Sequence, residues 1–192
     1  MSLLEGDLPT PAGVWASLAR GVVDRRSPFG RPAIATVDPL GQAEVRTVVL
    51  RDVQPGARQL VLHSDTRAAK VAALAHQPRL AWHFWDPRPR LQLRASGPAT
   101  VHTRGPMVDE TWARLSVHQQ RTYAAEPAPG TPLDAAGDGL PSADAAAAGR
   151  AHFCVITCTI DAFDILQLRR GGHRRCVLSW DGTAWAATWV VP

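Results

Sequence analysis

Apolar and polar positions alternate in short runs over most of the chain, a period of two that predicts strands. Ala33–Val37 and Ala43–Leu50 flank Asp38-Pro39-Leu40-Gly41, and Leu80–Trp85 and Leu91–Val101 flank Asp86-Pro87-Arg88-Pro89, so each pair reads as a hairpin. Gln59–Ser64 adds a strand between them. Toward the C-terminus His152–Thr159, Ala162–Leu168, Arg174–Trp180 and Ala184–Val190 add four more, the last two joined through Asp181-Gly182. Helical spacing is confined to three segments. Thr10-Pro11 reads as an N-cap and first helical residue, and Val14, Leu18, Val22 and Val23 recur as far as about Asp24. Ala68–His76 stops before Pro78, and Pro106–Tyr123 carries Val108, Trp112, Leu115 and Gln119 at helical spacing.

Hairpins without a β-α-β rhythm argue for a mainly β (α+β) fold, an antiparallel barrel with peripheral helices, and against a doubly wound sheet. Between Ala124 and Gly149 the sequence turns Ala/Pro/Gly-rich with few large apolar residues, which predicts a flexible loop or lid. A length of 192 residues then predicts one domain over 1–192, with an N-terminal helix at about 11–24 and that loop at about 124–149.

Composition narrows the function. The chain is 45% hydrophobic and 20% charged, within the globular range, so global disorder is not expected. The net charge of +4 is dispersed, without a basic run or aromatic-basic stripe, and this speaks for a small anionic ligand and against nucleic acid. Cys154, Cys158 and Cys176 include no C-x-x-C and no histidine at zinc spacing, so they read as reduced thiols and no metal is expected. No secretory leader pattern or membrane-length apolar run is visible; a cytoplasmic protein without membrane partners is expected.

The candidate chemistry lies between Arg46 and Lys70. Arg46-Thr47-Val48-Val49-Leu50-Arg51 carries an arginine at each end of an apolar run. Downstream, a strand ends in His63, Ser64 and Asp65, with Arg67 and Lys70 where a helix begins. Cations, a hydroxyl and unpaired helix N–H groups suit a phosphate. The chain has no G-x-x-x-x-G-K-[ST] and no G-x-G-x-x-G after a strand, so the common nucleotide loops are absent. No serine, histidine and aspartate form a recognisable nucleophile setting.

These residues place the chain in a known pattern. Arg46–Arg51, Ser64-Asp65-Thr66-Arg67-Ala68-Ala69-Lys70, Gln77-Pro78, Gln92-Leu93-Arg94-Ala95-Ser96-Gly97, Phe163–Leu168 and His173-Arg174-Arg175 occur in the order expected of one family. The chain resembles the pyridoxamine 5′-phosphate oxidase-like flavoproteins, FMN-binding split β-barrels, and among them the oxidase-related branch. The resemblance implies an antiparallel split β-barrel and FMN as cofactor. It gives Arg46 and Lys70 the FMN phosphate, with Ser64 donating a hydroxyl hydrogen bond and Arg67 nearby. Thr47, Val48, Val49, Leu50 and Arg51 would run along the flavin, with His63 as a neighbour and Gln92 at the pyrimidine end.

It further implies a homodimer with FMN at the subunit interface, completed by Arg175 from the second subunit. The tryptophan that accompanies this arginine in the family is replaced by Ile165 or Leu166. On the substrate side His173, Arg51 and Arg114 are the candidates. Gly171 stands where an arginine is expected, Glu110 and His118 fall at positions of the substrate-phosphate cluster, and the signature's serine-arginine pair is Ala68-Ala69. The resemblance therefore implies an FMN-dependent oxidoreductase acting on a small molecule other than pyridoxamine phosphate. The alternatives are a flavin-binding or sensor module without turnover, and a barrel carrying a deazaflavin or haem.

Overall fold

The computed structural model describes residues 9–137, 139–141 and 143–192. Met1–Leu8, and Asp138 and Ser142 of the Ala/Pro/Gly-rich segment, lie outside the described residues. The first helix, α1 (Pro11–Val23), begins as its sequence dictates: the Thr10 side chain accepts a hydrogen bond from the Gly13 amide at 3.1 Å, and Pro11 follows. Val14, Trp15 and Leu18 are buried, and Trp15 meets Phe163 edge-on with ring centroids 5.0 Å apart.

The strands form one antiparallel sheet that does not close. Its longer path runs β10 (Trp185–Val190), β9 (Arg174–Trp180), β8 (Ala162–Gln167), β6 (Leu91–His102), β5 (Arg79–Asp86), β1 (Ala33–Val37) and β2 (Ala43–Thr47). A branch leaves β6 through β7 (Phe153–Thr159) to β4 (Gln59–Asp65) and β3 (Asp52–Gln54). This is a split β-barrel: the hairpin pattern predicted the antiparallel barrel, and the resemblance implied its split form. Its inner face carries Ile34, Trp82, Phe84, Leu93, Phe163 and Leu178, all at most 1% exposed, against Leu60, Leu62 and Ile156 of the branch.

β6 joins the two parts. Residues 91–96 pair with β8 and residues 99–102 with β7. The change of partner falls around Gly97, where an added Cβ would lie 1.9 Å from the Thr159 carbonyl oxygen. No other residue allows so close a backbone approach.

The structure revises three sequence expectations. β2 stops at Thr47 rather than Leu50. Val48 and Leu50 still donate to the Pro32 and Gly30 carbonyls at 2.9 and 3.1 Å, but Pro32 has no N–H to return, so the ladder does not continue. The helix expected over Pro106–Tyr123 is two, α3 (Pro106–Ala113) and α4 (Val117–Arg121), because Ser116 and Gln119 form a capping box that starts a new helix. Asp52–Gln54 pairs with Gln59–Val61 as a short strand that periodicity does not show.

α2 (Ala69–His76) lies in the β4–β5 connection. α3 covers a second apolar cluster of Val61, Val108, Phe153 and Val155, with Trp112, Leu115 and Tyr123 packed against it. His63 joins this cluster by an edge-on contact to Phe153 at 5.1 Å. Burial, and then the charge of Arg51, lower the His63 pKa to about 4, so the imidazole is neutral in the fold. The Ala/Pro/Gly-rich segment is tied down by arginines. Arg67 donates to the Ala125 and Glu126 carbonyls at 2.9 Å each, Arg121 to Pro141 at 2.5 Å, and Arg150 pairs with Asp109 at 2.6 Å.

Two tests follow. Gly97→Ala forces backbone movement at the strand crossing, an overpacking typically worth about 1–3 kcal/mol. The melting temperature should drop by roughly 3–10 °C; a melting curve superimposable on the parent's would show that the crossing tolerates a methyl group. For His63, the unfolded chain binds a proton between about pH 6.5 and pH 4 that the fold does not accept. Stability present above pH 6.5 is therefore lost as the pH falls toward 4, on the order of 2–3 kcal/mol. Urea midpoints at pH 7 and pH 4.5 should differ more for the parent than for His63→Phe, and equal differences would exclude His63 as the titrating group.

Candidate functional site

β2 is the edge of the longer path and pairs only with β1, while β4 pairs with β7 throughout and with β3 only over Gln59–Val61, so that β3 does not reach the end of β4 that carries Ser64. The seam between them is where the barrel stays open, and three of the expected phosphate ligands meet there. Arg46 leaves β2 on the same side as its partner Ile34. Its guanidinium donates to Thr36 Oγ1 at 2.7 Å and the Glu44 carbonyl at 3.0 Å, and pairs with Glu44 Oε2 at 2.5 Å. Ser64, 4% exposed near the end of β4, accepts a hydrogen bond from Lys70 Nζ at 3.0 Å.

Lys70 is the sequence's one lysine. Burial, and then the nearby Arg46 charge, lower its pKa. The Arg46 charge thus disfavours the Lys70 ammonium in a half-buried seam, which gives the seam a local excess of positive charge. Lys70 sits in the first turn of α2, whose N-cap Ala68 supplies no capping side chain, so the helix start adds unsatisfied N–H groups. Arg67 is not part of this set. Its guanidinium grips Asp65 through Nε at 3.0 Å and a terminal nitrogen at 2.7 Å, and its remaining hydrogen bonds go to Ala125 and Glu126. Arg67 fastens the following loop rather than facing the phosphate.

The run after Arg46 crosses the seam. Thr47 faces the opposite side of the sheet from Arg46, and Leu50 is a core residue at 2% exposure. Because Val48 and Leu50 turn their N–H groups toward residues 30–32, Val49, 43% exposed, presents its backbone to the open side. Of the two valines expected along a flavin edge, Val48 has its N–H taken by the Pro32 carbonyl.

Beyond the seam Arg51 and His63 line a cavity of about 350 Å³ together with Arg114. Glu110 and His118 are exposed on α3 and α4 and do not line it. Glu110 instead reaches Arg114 at 3.6 Å. His173, the third substrate-side candidate, is exposed in the β8–β9 turn, where its Nδ1 accepts from the Arg169 amide at 3.1 Å. The structure does not bring it to this cavity.

Gln92 and Arg175 lie elsewhere again. They flank Leu166 on one cross-strand row of the outer face. Gln92 Oε1 is 3.3 Å from His83 Nε2, and Arg175 grips Asp164 at 3.0 and 2.7 Å, with Arg94 bonded to the same carboxylate. These hydrogen bonds from Arg175 and Arg94 outweigh burial and hold the Asp164 pKa low. Beside them runs a groove of about 640 Å³ floored by Ala33, Ala35, Ala81 and Ala162. Arg46 and Gln92 therefore occupy opposite faces of the sheet.

Three residues that sequence reasoning missed organise these sites. Glu44 and Thr36 aim Arg46 across the β1–β2 ladder, and Asp164 fixes Arg175 and Arg94 across β6, β8 and β9. Their cross-strand register would have revealed them, and register is not visible in a pattern of single strands.

Comparison with known proteins agrees with this architecture. The family model described as pyridoxamine 5′-phosphate oxidase, FMN-binding domain, matches residues 13–103. A pyridoxine/pyridoxamine 5′-phosphate oxidase 2 from Arabidopsis thaliana is 24% identical over 137 residues, covering 65% of this chain and 68% of the relative. The crystal structure of a pyridoxamine 5′-phosphate oxidase-related, FMN-binding protein from Nostoc punctiforme superposes with a TM-score of 0.77 at 24% identity, over 97% of this chain and 100% of that one. PhzG from Burkholderia lata, in complex with tetrahydrophenazine-1-carboxylic acid, superposes with the same TM-score at 18% identity over the full length of both chains. Among the described residues no helix is long and apolar enough to cross a membrane. Over residues 13–103 the chain is similar to the pyridoxamine 5′-phosphate oxidase FMN-binding domain, and its fold is that of the split-barrel structures it superposes on.

Proposed function

We propose that the chain binds FMN at the β2–β4 seam and acts, as a homodimer, as an FMN-dependent oxidoreductase on a small molecule other than pyridoxamine phosphate. The observation that carries this reading is the Arg46–Ser64–Lys70 cluster beside the uncapped start of α2. A phosphate dianion relieves the repulsion between the two cations and accepts from the helix N–H groups, so the residues present fit the cofactor. Bound FMN would supply the electron-accepting ring, and the protein its anchoring and orientation.

The dimer is supported by the two-faced arrangement. Arg46 and Gln92 point away from each other across one sheet, so a flavin anchored on Arg46 meets a Gln92–Arg175 row most simply when a second copy presents it. The apolar floor of the outer groove suits such packing. A changed substrate is supported by the positions aligned with the substrate-phosphate cluster. Glu110 and His118 turn to solvent, and Gly171 offers no side chain in a turn with nothing within 4 Å of it.

The test compares FMN with riboflavin, which lacks the phosphate. Arg46→Ala and Lys70→Ala each remove a charge-assisted contact to a partly buried dianion, a loss of about 2–5 kcal/mol. FMN affinity, read by quenching of flavin fluorescence, should fall at least about tenfold, with riboflavin affinity barely changed. Arg104→Ala, an exposed residue outside the site, should alter neither. If both variants bind FMN as tightly as the parent, the seam is not the phosphate site. If FMN and riboflavin weaken together, the effect is on folding. Turnover of pyridoxamine phosphate by the FMN-loaded protein would overturn the proposed change of substrate.

A further inference from the structure

The cavity behind the seam holds two polar groups that the chain leaves without partners. The Arg51 guanidinium is half-buried and makes neither hydrogen bond nor ion pair among the described residues. His63 Nδ1 is buried and has no hydrogen-bond partner. An unpaired buried ring nitrogen is uncommon, and His63 Nδ1 beside an accessible guanidinium without an acceptor points to a ligand that engages both. Elsewhere in this fold, half-buried arginines find acceptors within the chain: Arg46 on Glu44, Arg67 on Asp65 and Arg175 on Asp164.

Charge identifies what kind of ligand fits. The lining contains two arginines, Arg51 and Arg114, one carboxylate, Asp52, and His63, which is neutral, so its formal charge is +1. Asp52 already accepts from the Val53 amide and from Gln54 Nε2, both at 2.8 Å, which leaves Arg51 to the ligand. Val61, Leu115 and Val155 make the rest of the wall apolar. A monoanion balances the cavity. A phosphate monoester at its second ionisation leaves one negative charge uncompensated against apolar walls, which is costly. A carboxylate is also planar, and its two oxygens match the fork of one guanidinium.

We infer that this cavity binds the carboxylate of a small apolar or aromatic acid, held by Arg51, with the His63 imidazole as a second hydrogen-bond partner. The inference deepens the reading above, because it names the class of small molecule that the FMN-loaded protein would take. Carboxylate binding here does not itself require the flavin.

Benzoate and phenyl phosphate carry the same ring and differ in the anion, so they are suitable probes. Calorimetric titration of the FMN-saturated parent should give benzoate an affinity at least about tenfold above that of phenyl phosphate. Arg51→Gln should lower benzoate affinity at least about tenfold while the melting temperature stays at the parent's value. In histidine-¹⁵N-labelled protein, the Nδ1 resonance that disappears in His63→Phe should shift as benzoate is added. No benzoate binding at millimolar concentration, phenyl phosphate binding as tightly as benzoate, or an Arg51→Gln protein that binds benzoate like the parent would each overturn the inference. The same titrations on flavin-free protein keep the two claims apart. Benzoate bound through Arg51 by a protein that takes up no FMN sustains the carboxylate site and defeats the flavin reading. FMN bound by a protein that ignores benzoate does the reverse.

Discussion

β6 belongs to two ladders at once, and it does so because Gly97 lets its backbone come against the Thr159 carbonyl. That contact sets where the branch of β7, β4 and β3 leaves the main path, and so where the barrel fails to close. There β2 and the end of β4 beyond β3 are not paired with one another. An open seam in a sheet normally exposes unpaired backbone groups, a hazard that proteins cover or charge. Here Arg46 comes from one edge, Ser64 from the other and Lys70 from the helix that follows. A residue in the seam is held by core-packed strands, with its polar end oriented by Thr36 and Glu44 for Arg46 and by Lys70 for Ser64. The apolar core is thus responsible for placing the charged groups, through Leu50 and Leu62 beside them rather than through any contact of the charges themselves.

The arginines illustrate how a single residue type divides its work by what its neighbours supply. Arg67 has a carboxylate two residues away and carbonyls from the following loop, so it becomes a fastener. Arg175 and Arg94 share Asp164 and stiffen the outer face of three strands. Arg58, in the left-handed conformation at φ 56°, donates to the Ile160 carbonyl at 2.9 Å and lies over Trp180, a structural tie between the β3–β4 turn and the C-terminal strands. Arg46 is intermediate, oriented by Glu44 and Thr36 but directed toward Lys70. Only where the acceptors run out, at Arg51, does an arginine face a cavity unanswered.

Much of this was legible from alternation and turn chemistry. The hairpins, the antiparallel sheet and the grouping of Arg46, Ser64 and Lys70 follow from strand ends that sequence locates well. Two failures have a common cause. The Pro106–Tyr123 pattern keeps its helical period through Ser116, so only the capping box marks the break, a local signal set against a longer one. Arg67 reads as lying near a phosphate because of its motif, while its guanidinium is taken by Asp65, two residues away, and by the backbone carbonyls of Ala125 and Glu126, nearly sixty residues away and without side-chain signature. The same holds for the Ala/Pro/Gly-rich segment: its ties to Arg67 and Arg121 end on main-chain oxygens, which every composition contains. Which face of β6 carries Gln92 was predictable, but its relation to Arg46 required the register of β5, β1 and β2 between them.

The outer face raises a question of area. Along the groove the residues pointing outward from β1, β5 and β8 are alanines at positions 33, 35, 81 and 162, where a solvated sheet would be expected to alternate into long polar side chains. Val45, 68% exposed, and Trp85, 39% exposed, extend the same surface. Small residues let another backbone come close, and the charges at the groove, on Arg94 and Asp164, are already paired within the chain. Such a surface offers shape and apolar area rather than unpaired charge, in keeping with the second copy proposed above. The seam supplies the opposite character, with cations that await an anion. One sheet therefore carries an electrostatic site on its inner edge and an apolar one on its outer face. The residues between them, from Arg46 to Arg51, are a single stretch of chain that links the two.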